Sequence, residues 1–283
     1  MVPQLGPNPK VATRRWVGLA TLSLALAGGG ELAAQVAVLS SGIEQRQVRP
    51  GGVYVGSILL FNPTAEPQEA RVYQTDYLFF ADGSNRFDEP GTVPRSNDRW
   101  ITYGPNRVTI PPGAQFRVEY TITVPDTLAV RLSGSYWSML MVEGAPRSPH
   151  PALREPDSTQ VELGVRQIVR HAIQIVTDIA GTGALQVDVA NPQLLATADG
   201  GKVLQVDIVN TGDLTAIPDV SVELYGEDGA LKGKFAGVKQ MLHPGTSMRQ
   251  RINLGALPPG TYHALVVADV GGEVFGAQYR LRF

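Results

Sequence analysis

Val161-Glu162-Leu163-Gly164-Val165-Arg166-Gln167-Ile168-Val169-Arg170 alternates apolar and polar residues and carries two arginines, after a Pro-rich loop from Ala145 to Ser158. The chemistry open to such a set is recognition. A strand edge pairs its backbone with another chain, alternate apolar side chains enter pockets, and a guanidinium meets an anion. The same alternation at Val161, Leu163 and Val165 also fits the inner face of a closed sandwich, and at this level both readings stand.

Other chemistries find little support. The four histidines, His150, His171, His243 and His263, do not pair at metal-ligand spacing and have no acidic cluster beside them. There is no Gly-x-Ser-x-Gly elbow, paired-carboxylate motif or phosphate-binding glycine loop. The Asp-Gly pairs lack calcium-loop spacing and read as hairpin turns. Trp100 and Trp137 read as packing residues. The expectation is a protein that is not an enzyme and uses no cofactor or metal.

These residues need a framework, and composition indicates which. The chain has 283 residues, a formal charge of −2 and no cysteine. That balance gives no reason to expect nucleic acid or an anionic membrane as partner. A chain this long can bury a sufficient core without disulfides. With 31 glycines, 21 prolines and 7% aromatics, it describes short strands joined by turns. Residues 1–34 read as a signal peptide. Arg14-Arg15 precede the short apolar run Trp16 to Ala27, and Leu32-Ala33-Ala34 offers a cleavage site, with Ala27 as the other candidate. Arg14-Arg15 resemble a twin-arginine signal, but the following residues fit ordinary secretion better. No later segment is apolar enough to span a membrane as a helix.

Strands with turn signals then recur: Val53 to Phe61 stopping at Asn62-Pro63, Ala70 to Tyr77, Arg107 to Ile110 before Pro111-Pro112-Gly113, Gln115 to Val124, and Tyr136 to Val142. The plan repeats in Lys202 to Val209 stopping at Asn210, Val220 to Tyr225, Pro244-Gly245 before Ser247 to Leu254, Pro259-Gly260 opening the next strand, and Phe275 to Phe283. Antiparallel pairing without crossover helices predicts an all-β protein of two immunoglobulin-like sandwiches, 35–180 and 181–283, with Gly181-Thr182-Gly183 between them. The apolar face of Phe275, Ala277, Tyr279 and Leu281 fits a closing sandwich strand better than a membrane barrel.

In that order the motifs resemble the periplasmic pilus (fimbrial) chaperones of the PapD-like class. Arg46-Gln47-Val48-Arg49-Pro50-Gly51-Gly52 resembles their first-strand motif, Ile58 to Pro63 the strand ending at Asn, and Tyr136 to Val142 the aromatic-Trp strand, followed by Ala145-Pro146 and a long loop. The resemblance implies that Arg46 and Arg170 bind the client's C-terminal carboxylate together in a cleft, Arg170 standing where the family usually has lysine. It implies that Val161, Leu163 and Val165 are donor-strand residues. It also implies a periplasmic assembly chaperone whose partners are pilin-like or coat subunits and an outer-membrane usher. The insertion from Phe87 to Trp100 is longer than usual, and the second half matches by strand plan alone. The alternative is a secreted structural or adhesive surface protein with two immunoglobulin-like domains and no client.

Overall fold

The computed structural model describes residues 36–126, 131–145 and 168–282. The leader expected over 1–34 lies outside them, as do Val161, Leu163 and Val165. The first half contains β1 (Ala37–Val38), β2 (Ile43–Val48), β3 (Val53–Phe61), β4 (Gln68–Phe79) and β5 (Asn85–Asp88). A short 3₁₀ turn (Asp98–Trp100) follows, then β6 (Ile101–Gly104), β7 (Arg107–Ile110), β8 (Gln115–Thr123), β9 (Gly134–Ala145) and β10 (Arg170–Ile179). One sheet has the order β1-β3-β8-β6, and the other β2-β10-β9-β4, with β5 and β7 both paired to β4. The first strand is therefore split: β1 adds to one sheet and β2 crosses to the other, where it runs parallel to β10. The remaining pairings are antiparallel, and this strand order is that of an immunoglobulin-like sandwich.

The second half contains β11 (Val187–Ala196), β12 (Lys202–Asn210), β13 (Asp219–Gly226), β14 (Leu231–Ala236), β15 (Ser247–Gly255), β16 (Thr261–Val270) and β17 (Glu273–Arg282). Its sheets are β11-β12-β15 and β14-β13-β16-β17, all antiparallel. The protein is all-β, two immunoglobulin-like antiparallel sandwiches.

Period-two patterning produces the cores. Along β16 every second side chain from Tyr262 to Val270 is buried, which puts one face inside and one toward solvent. One core gathers Ile58, Leu60, Val118, Ile122, Leu140 and Ile175. The other gathers Leu204, Val206, Ile208, Val222, Ile252 and Val266. Phe79, at the end of β4, belongs to the second core although its strand belongs to the first sandwich.

The same device ends β3 and β12. The Asn62 side-chain amide donates to the carbonyls of Glu66 (2.7 Å) and Ile110 (2.9 Å), and its oxygen accepts from the Thr64 backbone N–H (2.9 Å). Asn210 donates to the carbonyls of Leu214 and Leu242 (2.8 Å each) and accepts from the Gly212 N–H (3.0 Å). Each asparagine lies against a Pro-Gly turn. Gly113 and Gly245 have φ of 64° and 77°, and each turn is closed by an i to i+3 bond, Ala114 N–H to Pro111 O and Thr246 N–H to His243 O. Proline followed by a positive-φ glycine is the type II signature. His243 thus stands where the first sandwich has Pro111.

Candidate functional site

β10 has two kinds of edge. It pairs with β9 along its whole length, from Arg170 opposite Glu143 to Ile179 opposite Gly134. It pairs with β2 only from Gln174, opposite Ile43, to Ile179, opposite Val48. Arg170 to Ile173 therefore carries a strand on one side alone among the described residues. Arg170 and Ala172 are exposed, Ile173 is buried in the first core, and the His171 ring lies 3.2 Å from the Val36 carbonyl. Exposed Ile43 and Ile168 flank this stretch. Sequence reading had a strand ending at Arg170, whereas the described strand begins there.

The structure does not bring Arg46 and Arg170 together. Arg46 is opposite Thr177, and Arg170 lies seven residues upstream on β10, a separation of about 23 Å along a strand. The shared cleft site expected for the pair is therefore corrected: aligning the arginine with the family's usual lysine position fixed no register against β2. Arg170 instead makes a 2.7 Å ion pair with Glu143 on the neighbouring strand, and its side chain is 58% exposed. Arg46 lies 5.6 Å from the centroid of the Tyr54 ring and 3.8 Å from Glu44. The Tyr54 and Thr177 hydroxyls share a 3.0 Å hydrogen bond.

Tyr120 of β8 is buried in the first core. Gly56 is its register partner on β3, and a Cβ at Gly56 would overlap the Tyr120 ring and hydroxyl. Among the described residues, the Tyr120 hydroxyl is the buried side-chain polar atom without a hydrogen-bond partner. Burial pushes its pKa well above the ordinary phenol value, with the Glu44 carboxylate adding to the shift and Arg46 opposing it. The sequence signal for this arrangement was a glycine inside an apolar strand, which marks close approach of another group.

A second polar cluster joins the two sandwiches. His243 Nε2 contacts Gln174 Oε1 (2.8 Å) and Nδ1 contacts the Thr215 hydroxyl (3.1 Å). Ser135 donates to Asp178 (2.5 Å) and accepts from the Thr215 N–H (2.7 Å). Gln45 also donates to Asp178. Arg95 pairs with Asp213 at 2.5 Å and donates to the Ser133 carbonyl at 2.8 Å. Arg95, Asp213, Thr215 and His243 lie in the turns and loops between strands, and Gln174 and Asp178 lie on β10 beyond the strand expected from sequence, so which of them would face one another was not visible there. Among the described residues no group of three His, Cys, Asp or Glu side chains is placed to hold a metal ion, and no helix is long and apolar enough to cross a membrane.

No protein-family model matches the chain, and no curated protein matches it. Similar solved structures include a chain of the chaperone–tip adhesin complex of CFA/I fimbriae, 12% identical, covering 88% of this chain and 98% of that one, with a TM-score of 0.47. The class 5 fimbriae chaperone CfaA is 12% identical over 87% of this chain and 98% of its own, with a TM-score of 0.42. A chain of the CsuC–CsuE chaperone–tip adhesion subunit pre-assembly complex of Acinetobacter baumannii is 11% identical, with the same coverages and a TM-score of 0.43. The immunoglobulin-like assignment stands on the strand order and register described above.

Proposed function

We propose that this protein is a non-enzymatic assembly chaperone, exported to the periplasm, that caps fibre or coat subunits by donating a β-strand. The observation that carries the reading is the half-open edge of β10: among the described residues, Arg170 to Ile173 has β9 on one side and no strand on the other. An unpaired row of backbone groups beside exposed apolar side chains is suited to strand addition. The alternating Val161, Leu163 and Val165 precede this edge in the sequence, and in this reading they fill the groove of a subunit that lacks one strand. Burying three such side chains gains roughly 5–9 kcal/mol gross, before ordering costs. Arg46 then meets the subunit's C-terminal carboxylate, while Arg170, held by Glu143, borders the donor edge.

A photo-crosslinking amino acid at Ala172 tests the proposal, with an exposed position on β14, such as Leu231, as the control. Cross-links from Ala172 to a subunit whose own sandwich lacks a strand support strand donation. If neither position cross-links to such a subunit in cells making the fibre, the chaperone reading fails and the client-free surface protein takes its place.

A further inference from the structure

On its flank away from β9, β4 is paired at both ends and open at one rung between them. β7 pairs with it as far as Arg71, opposite Arg107, and β5 pairs with it from Asp76, opposite Asp88. The Val72 N–H reaches the Asn106 carbonyl and the Phe80 N–H the Ser84 carbonyl, so the even-numbered residues here turn their backbone groups to this flank. Gln74 belongs to that row, and among the described residues no strand meets its N–H and C=O. The sequence explains the gap. Continuing the β5 register would put Pro90 opposite Gln74, and proline has no N–H to give. Continuing the β7 register would put Gly104 there, but Gly104 pairs with Glu119 in the other sheet. A cavity of about 530 Å³ opens at this rung, a size that suits a small molecule. Phe87, 58% exposed, and Tyr103 give it aromatic walls, and Tyr77 holds the Phe87 ring with centroids 4.9 Å apart. Arg71 stands over the Tyr73 ring, 4.9 Å from its centroid. Asp88 is already paired with Arg86, whereas the exposed Glu89 carboxylate has no partner among the described residues.

We propose that this cavity binds a neutral saccharide, held by the backbone of Gln74 and the face of Phe87. The N–H and C=O of one extended residue point the same way, side by side. Two adjacent ring hydroxyls match them, since each hydroxyl can both accept and donate. One accepts from the Gln74 N–H and its neighbour donates to the Gln74 carbonyl. Arg71 offers a donor and Glu89 an acceptor to further hydroxyls, while the C–H face of the sugar ring lies on the Phe87 ring. With Asp88 neutralised by Arg86, the remaining charges of the walls are one of each sign, which suits a ligand without net charge. A peptide strand fits poorly, because strand addition draws its affinity from a row of main-chain bonds and only one rung is open. The site lies two strands from β10 and does not rest on the chaperone reading.

The ¹⁵N-labelled full chain is titrated with cellobiose, lactose and mannobiose, and amide shifts and hydrogen exchange are followed. In the free protein the Gln74 amide should exchange faster than that of Val72, which has a partner. At least one of the three sugars should move the Gln74 resonance along a saturating curve and slow its exchange about tenfold or more. Phe87→Ala and Glu89→Gln should each weaken that binding about tenfold, with Tm little changed, since both side chains are exposed. Should Phe87→Ala unfold, Glu89→Gln alone decides. The proposal is overturned if none of the three sugars moves the Gln74 amide, or if Glu89→Gln binds as tightly as the unmodified chain. A Gln74 amide as protected in the free protein as that of Val72 would also overturn it, by revealing a partner already in place.

Discussion

The indole of Trp137 and the imidazole of His243 are stacked across the seam between the two sandwiches, with ring planes 12° apart and centroids 4.6 Å apart. Each has a polar anchor: Trp137 Nε1 donates to the Tyr77 carbonyl (2.9 Å), and His243 bridges Gln174 and Thr215. The pair belongs to opposite halves of the chain, so the seam is a packed element of the fold.

Burial lowers the pKa of His243 from 6.5 to about 3. As pH falls below its ordinary value the unfolded chain takes up the proton before the folded one. The stability contributed by the neutral imidazole is therefore complete above about pH 6.5 and is lost as pH falls toward about 3, at a limiting slope of about 1.4 kcal/mol per pH unit. Urea unfolding between about pH 4.5 and 7 measures that slope. His243→Gln should flatten it; an unchanged slope in the variant would assign the acid sensitivity elsewhere.

Phe79 reaches from β4 into the second core and is 7% exposed. Phe79→Ala should cost about 3–5 kcal/mol and weaken the coupling of the two halves. Calorimetry should show one transition in the unmodified chain and two in the variant. A single transition in both, with Tm little changed, would mean that the contact does not join the halves.

Asn62 and Asn210 are buried and make matching sets of bonds in the two sandwiches. Replacing either with alanine leaves carbonyls and an N–H without partners, at about 2–4 kcal/mol for the two or three bonds lost. The two losses should be similar and should add, since the sites lie in separate cores. Chemical denaturation of the two single variants and the double variant checks this, and a loss below about 1 kcal/mol at either site would remove the shared role.

Arg46→Ala should weaken capture of a carboxylate-ended client about tenfold or more. Arg170→Ala should affect capture less, since the Arg170 side chain is exposed and already paired with Glu143. Titration calorimetry with a client C-terminal peptide, as free acid and as amide, separates the cases. Equal binding of acid and amide would rule out a carboxylate contact at Arg46.

Much of the fold was legible because period-two patterning and turn chemistry are local. Val53–Phe61 and Arg107–Ile110 have the bounds expected from alternation and from the Asn-Pro and Pro-Pro-Gly stops. The strands Asn85–Asp88, Ile101–Gly104, Val187–Ala196 and Leu231–Ala236 were not read. The first two lie in and beside the insertion from Phe87 to Trp100. Val187–Ala196 contains Asn191 at φ 50° and a register shift between Ala190 and Gln193, which break the alternation. Leu231–Ala236 is mostly exposed, so it carries little apolar signal. The site was less legible for a different reason. Arg46 could be singled out from its turn, but which β10 residue faces it depends on the parallel register with β2, a relation between residues more than a hundred positions apart. Tyr120 was not singled out within the alternating strand Gln115 to Val124, and only the packed structure shows that its buried hydroxyl has no hydrogen-bond partner among the described residues.

The parallel pairing of β2 with the later part of β10 has a consequence for anything that docks on the earlier part. β2 already occupies the edge from Gln174 onward, so an incoming strand meets a stop at that rung. It cannot slide by two residues, the step that would otherwise keep its side chains on the same face. For a chain that paired with this edge, β2 would thus mark the furthest rung it could reach. The same strand carries Arg46, three rungs further on, opposite Thr177.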